Sequence, residues 1–138
     1  MKRLVPLLLA AVALCVLPLA LGAEAVLLLG LPGGLPLGTL LASLAFVAGA
    51  AVPVTAGRPG TLLRWTGRVA LIAAVLWLPL GIYLSGNAAL NFVNDGADSA
   101  VFWRLTAGLG VFVLATMLWS AVAAVWDRRS QTTSPSAA

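Results

Sequence analysis

The sequence predicts an all-α integral membrane protein: a polytopic bundle of four transmembrane helices with both termini in the cytoplasm, forming a single membrane domain over residues 1–138. Composition is the first observation behind this. The chain is 62% hydrophobic and 9% charged, against roughly a quarter charged in an ordinary soluble domain. Too few polar side chains remain to cover a water-facing exterior, and the mean hydropathy of +1.07 agrees. The second observation is the run length of the apolar segments, and the third is the placement of the basic residues.

A spanning helix needs about 20 mostly apolar residues, because each adds about 1.5 Å across a hydrocarbon core of about 30 Å. Four stretches qualify: about Leu4–Ala23, Leu35–Ala56, Val69–Gly86 and Leu105–Trp126. None contains Asp, Glu, Lys or Arg, and none shows the strict alternation of a barrel strand.

The first stretch also has the outline of a signal peptide, with Lys2-Arg3 ahead of it and Ala23-Glu24-Ala25 as a cleavage-like sequence. Its apolar run exceeds the usual h-region of about 7–15 residues, so the expectation is a retained span. Cys15 lies within it as a small buried hydrophobe. A connection rich in Gly and Pro follows from Glu24 to Pro36, whose Ala25–Leu29 stretch is apolar enough to lie in the interface.

Gly57-Arg58-Pro59-Gly60 marks the turn after the second span. Thr61–Trp65 then reads as a short interfacial helix leading into the third span. Pro18, Pro53 and Pro79 each remove a backbone donor within a span, which membrane helices tolerate because neighbours satisfy the freed carbonyl. Asn87–Ser99 is a polar connection, with Asp95-Gly96 as a turn signal and Asp98 or Ser99 suited to cap the fourth helix. Gln131–Ala138 reads as a disordered polar tail.

The charges orient the bundle. Lys2, Arg3, Arg58, Arg64, Arg68, Arg128 and Arg129 fall on one side of the four spans, and Arg104 alone falls on the other. The excess of Lys and Arg in short loops marks the cytoplasmic face, so the expected location is the bacterial inner membrane, multi-pass. Arg104 opposes that rule and is expected to pair with Asp98 or Asp95. Trp65 and Trp126 lie near the inner ends; Tyr83, Phe92, Phe102 and Trp103 lie near the outer ones.

Ionisable groups at membrane depth are what proton-coupled carriers, pumps and voltage sensors work with, and these spans carry none. The chain has no histidine and one cysteine, which removes the usual zinc and haem ligand sets and any intramolecular disulfide. No cofactor is expected.

Small residues one turn apart let helix backbones approach closely. Gly38 with Ala42, Ala45 with Gly49, Ala70 with Ala74, and Thr106 with Gly110 are therefore candidates for helix packing or for contact with a partner. Thr39 with Ser43 and Thr116 with Ser120 are hydroxyl pairs, expected to bond their own helix carbonyls or a neighbouring helix. Asn87, Asn91, Asn94, Asp95 and Asp98 form the outer polar loop. They lack the carboxylate spacing of a calcium loop, so no metal site is expected and a docking surface is the better use. Arg58, Arg64, Trp65 and Arg68 form a cytoplasmic basic and interfacial set suited to anionic lipid heads.

These features fit a non-catalytic accessory or scaffolding subunit of a membrane complex. Its partners are membrane lipids and either a larger complex or further copies of itself. A small oligomeric channel or facilitator is the alternative. An enzyme fits worst, because no nucleophile has a base beside it. Nucleic acid is not an expected partner, since three arginines at an interface do not make a groove-tracking patch.

Overall fold

The computed structural model describes residues 4–56, 61–93 and 96–132, the last six of them as backbone. These residues are all-α. Five helices follow in order: α1 (Leu4–Ala20), α2 (Glu24–Leu27), α3 (Leu37–Ala56), α4 (Leu62–Ser85) and α5 (Ala97–Thr132). No strand occurs among the described residues, only an isolated antiparallel bridge between Gly30 and Pro36. Three helices, α3, α4 and α5, are long and apolar enough to cross a membrane; α1 is apolar but only 17 residues long. At 1.5 Å per residue it measures about 26 Å, just short of a hydrocarbon core.

The helix limits differ from the sequence reading in four places. First, α1 ends at Ala20 and not near Ala23, because the chain turns at Gly22 with φ +61°. Second, Thr61–Trp65 is not a separate interfacial helix. Thr61 is extended and α4 runs unbroken from Leu62, as expected where no proline or glycine pair interrupts the turns before Val69. Third, α5 begins at Ala97, eight residues ahead of Leu105, and continues to Thr132. Gln131 and Thr132 are thus helical, while 133–138 lie outside the described residues. Finally, Asp98 sits in the first turn of α5 and does not cap it. A carboxylate there still faces the free amides and positive end of the helix.

The bundle is built around α3. Helices α1, α4 and α5 all pack on it, and α4 and α5 also pack on each other. By contrast α1 touches α3 and α2 but neither α4 nor α5. The buried positions of α4 are Leu63, Gly67, Ala70, Ala74, Trp77 and Gly81. On α5, Phe102, Val113, Thr116 and Ser120 are buried, with Thr106 and Leu109 half-buried between them. Both rows step alternately by four and three residues, the seam of closely aligned helices.

Gly67 lets α3 and α4 close up: a Cβ there would lie 3.0 Å from Pro53 Cγ and 3.0 Å from the Val54 backbone nitrogen. The fully buried Pro53 ring thus fills the gap that Gly67 leaves. Within the connection from α1 to α3, α2 lies against the start of α3, where a Cβ on Gly38 would meet Leu27 Cβ at 3.2 Å. The bridge between Gly30 and Pro36 closes this connection, with the Leu37 amide donating to the Leu29 carbonyl at 2.9 Å.

Candidate functional site

Two concavities stand out, one at each end of the bundle. The first lies at the end that carries α2, beneath the connection from α4 to α5. Here large aromatic side chains replace the small residues that close the middle of the bundle. Trp77 meets Phe46 edge-on with ring centroids 5.3 Å apart and stacks on Phe102 at 5.8 Å. Phe102 in turn contacts Phe92 at 5.5 Å and Trp103 at 5.2 Å. Such edge-on and offset pairs add about 0.5–1.5 kcal/mol each beyond the area they bury.

The polar atom of Trp77 is satisfied inside this cluster. Its Nε1–H donates to Thr106 Oγ1 at 2.8 Å, and the Thr106 hydroxyl donates to the Phe102 carbonyl at 2.9 Å. This relay ties α4 to α5 and leaves no buried donor unmet, which would otherwise cost about 1–3 kcal/mol.

The connection folds back over the cluster and is fastened by Asn87. Its side-chain Nδ2 donates to the Asn91 carbonyl at 2.7 Å and to the Ser85 carbonyl at 3.1 Å, while its Oδ1 accepts from the Asn91 amide at 3.0 Å. The Ser85 hydroxyl donates to the Asn87 carbonyl at 2.9 Å. These bonds hold Leu90 in the left-handed region, with φ +56°, a conformation uncommon for any residue but glycine and asparagine. Leu90 is 7% exposed and packs with Trp77 and Phe102. Gly81 makes room for them, since a Cβ there would lie 2.8 Å from Phe102 Cζ and 3.1 Å from Leu90 Cδ2.

Beside this plug is an open pocket of about 350 Å³, lined by Thr39, Ala42 and Phe46 of α3, Trp77 of α4, Ala89–Asn91 of the connection, and Trp103 and Thr106 of α5. Among the described residues, no ionisable one lines it.

The second concavity is a groove of about 390 Å³ at the opposite end, between α1 and α5 with α3 as its floor. Val5 and Leu9 form one wall, Leu114, Met117 and Leu118 the other. Val52, Ala56, Ser120, Ala121 and Ala124 complete it. It exists because α1 packs on α3 but not on α5.

The residues singled out from the sequence distribute as follows. Gly38 faces Leu27, and a Cβ on Gly49 would lie 2.8 Å from Val113 Cγ1. Ala70 and Ala74 are fully buried in a core with Ala50 and Val113. Ala42 packs against the aromatic cluster, Thr106 serves the relay, and Gly110 is near Phe46. Ala45 is half-buried. All of these except Ala45 thus have a described neighbour within the chain.

Thr116 donates to the Val113 carbonyl at 2.9 Å and Ser120 to the Met117 carbonyl at 2.6 Å. Asn87 and Asn91 fasten the connection, whereas Asn94 and Asp95 lie outside the described residues. Asp98 is exposed, and Arg104 does not pair with it. The two stand six residues apart on one helix, well round from each other. Arg58 lies outside the described residues. Arg64 is half-buried with its Nε unpaired, and Trp65 and Arg68 are exposed. Cys15 is buried and free. No group of three or more His, Cys, Asp and Glu side chains suited to a metal occurs among the described residues.

Sequence reasoning missed the pocket. From the sequence Asn87 and Asn91 read only as part of a polar docking loop, and nothing there marks Leu90 as a plug.

The chain matches no family model, no curated protein and no solved structure.

Proposed function

We propose that the protein is a non-catalytic accessory subunit of a larger membrane complex, spanning the bilayer four times with both termini in the cytoplasm. The observation that carries this reading is the groove between α1 and α5. Two helices that both pack on α3 leave between them an apolar trough floored by Val52 and Ala56 of α3, with the small residues Ser120, Ala121 and Ala124 on its α5 side. Small side chains along such a trough permit close backbone approach, the main source of helix association where lipid supplies no hydrophobic drive. The Ser120 hydroxyl is already committed to its own helix, so the trough asks for no polar partner. Its occupant is an apolar transmembrane helix of the partner protein.

Native mass spectrometry after mild-detergent capture tests this. A stoichiometric larger partner, lost in Ala121→Phe protein that melts like the parent, supports the subunit reading. A homo-oligomer without other chains favours the channel alternative, and an unchanged complex in Ala121→Phe removes the groove as the contact. Thiol labelling in Cys15→Ala protein tests the topology. Asn94→Cys is expected to react from outside and Ser136→Cys only after the membrane is opened; the reverse overturns the orientation.

A further inference from the structure

We propose that the pocket beside Leu90 is a binding site for a neutral amphiphile carrying hydroxyl or ester oxygens, the chemistry of an acylglycerol. Its volume of about 350 Å³ falls within the range of small-ligand sites. Polarity is graded along it. Thr39 stands two residues into α3 and Asn91 lies in the connection, so both are at the rim. Phe46 and Trp77 lie eight or more residues inside their helix ends, at least about 12 Å from those ends at 1.5 Å per residue. An amphiphile entering with its oxygens at the rim and its apolar part on the aromatic floor matches that gradient.

The division of labour among the polar groups points the same way. Trp77 and Thr106 are spent on each other and on the Phe102 carbonyl, which fixes the wall. The Thr39 hydroxyl and the Asn91 side-chain amide have no partner among the described residues. Between them they offer donors and acceptors to one oxygen-bearing group. Among the described residues no ionisable side chain lines the pocket, so it offers no counter-charge to a charged head group and suits a neutral one. Leu90, held at φ +56° by the Asn87 bonds, forms one edge. Strained backbone of this kind persists where the surroundings over-determine it, as at ligand clamps.

The test uses full-length protein in phosphatidylcholine nanodiscs, with Trp65, Trp119 and Trp126 changed to Phe so that only Trp77 and Trp103 emit. Diacylglycerol brominated near its ester end is titrated against phosphatidylcholine with the same brominated chains, since bromine quenches a tryptophan it touches. Saturable quenching by the diacylglycerol, beyond that of the phospholipid, is expected. Thr39→Val, which keeps the shape, should weaken it about fivefold, the usual consequence of losing one neutral hydrogen bond. Ala42→Phe, which fills the pocket, should abolish the preference. Glyceryl tributyrate added from water distinguishes the source: relief of quenching means that water-borne esters also enter, and no relief means that entry is from the bilayer. Equal quenching by the two lipids, or a preference that survives both variants, overturns the proposal.

Discussion

Helices α1 and α4 both lie against α3, yet they belong to the bundle in different ways. The more apolar of the two is α1, and among its described residues Cys15 alone is buried. In α4 six positions are buried, and four of them are Gly or Ala. Hydropathy therefore reports which solvent a helix tolerates, while the rhythm of small residues reports what it packs against. In water the more apolar helix would take the centre; among lipid chains nothing draws it there. The centre goes to the helices whose backbones come closest.

Substitutions can break or sharpen that contrast. Trp77→Ala is expected to have the largest effect, about 3 kcal/mol, at the low end for a truncated buried tryptophan. The cavity remains in lipid, whereas the gain from leaving water does not. Detergent-denaturant titration in bicelles measures it, and a loss no larger than that of Leu14→Ala would erase the distinction between the helices.

Gly67→Ala comes next, at about 2 kcal/mol, because the new Cβ meets backbone at Val54 and cannot be relieved by a rotamer change. Leu14→Ala, on the open side of α1, should stay within about 0.5 kcal/mol in the same assay.

Thr106→Val should cost about 1–2 kcal/mol by leaving the Trp77 indole N–H unpaired. Thr116→Val, which removes only a bond back to its own helix, should cost about 0.5 kcal/mol or less. Equal losses would mean that the relay does not join α4 to α5. Cys15→Ala should be equally mild, about 0.5 kcal/mol, because the thiol is a small group on a helix that packs against few others. A loss matching that of Gly67→Ala would place α1 in the core.

Much of the fold was legible. Segments as long and apolar as these announce helices, and the steps Ala70–Ala74 and Thr106–Gly110 marked faces that do meet other helices of the chain. What escaped the sequence depended on distant neighbours. Leu105 looked like the start of a helix because Arg104 and Asp98 read as loop charges. Helix α5 instead extends back to Ala97, because Phe102 is anchored between Trp77, Leu90 and the space at Gly81. Leu90 itself carries no sign of a positive φ. Its conformation is imposed by Asn87 from one side and the aromatic cluster from the other. The pocket was illegible for the same reason, since its walls come from three helices and a connection. The groove follows from a missing contact between α1 and α5, and no local pattern encodes that.

The length of α5 has a mechanical consequence. Its 36 residues make a rod of about 54 Å, whereas a bilayer with its head groups is about 40–45 Å thick. Set upright in a membrane, the rod outreaches both surfaces together by about 10 Å. Its closing residues Asp127–Thr132, polar and still helical, are the natural part to project. A helical projection transmits torque as well as distance. Rotating or tilting α5 against α3 at the groove would swing that tip like the end of an oar, so that whatever grips the tip would feel a change made within the bilayer.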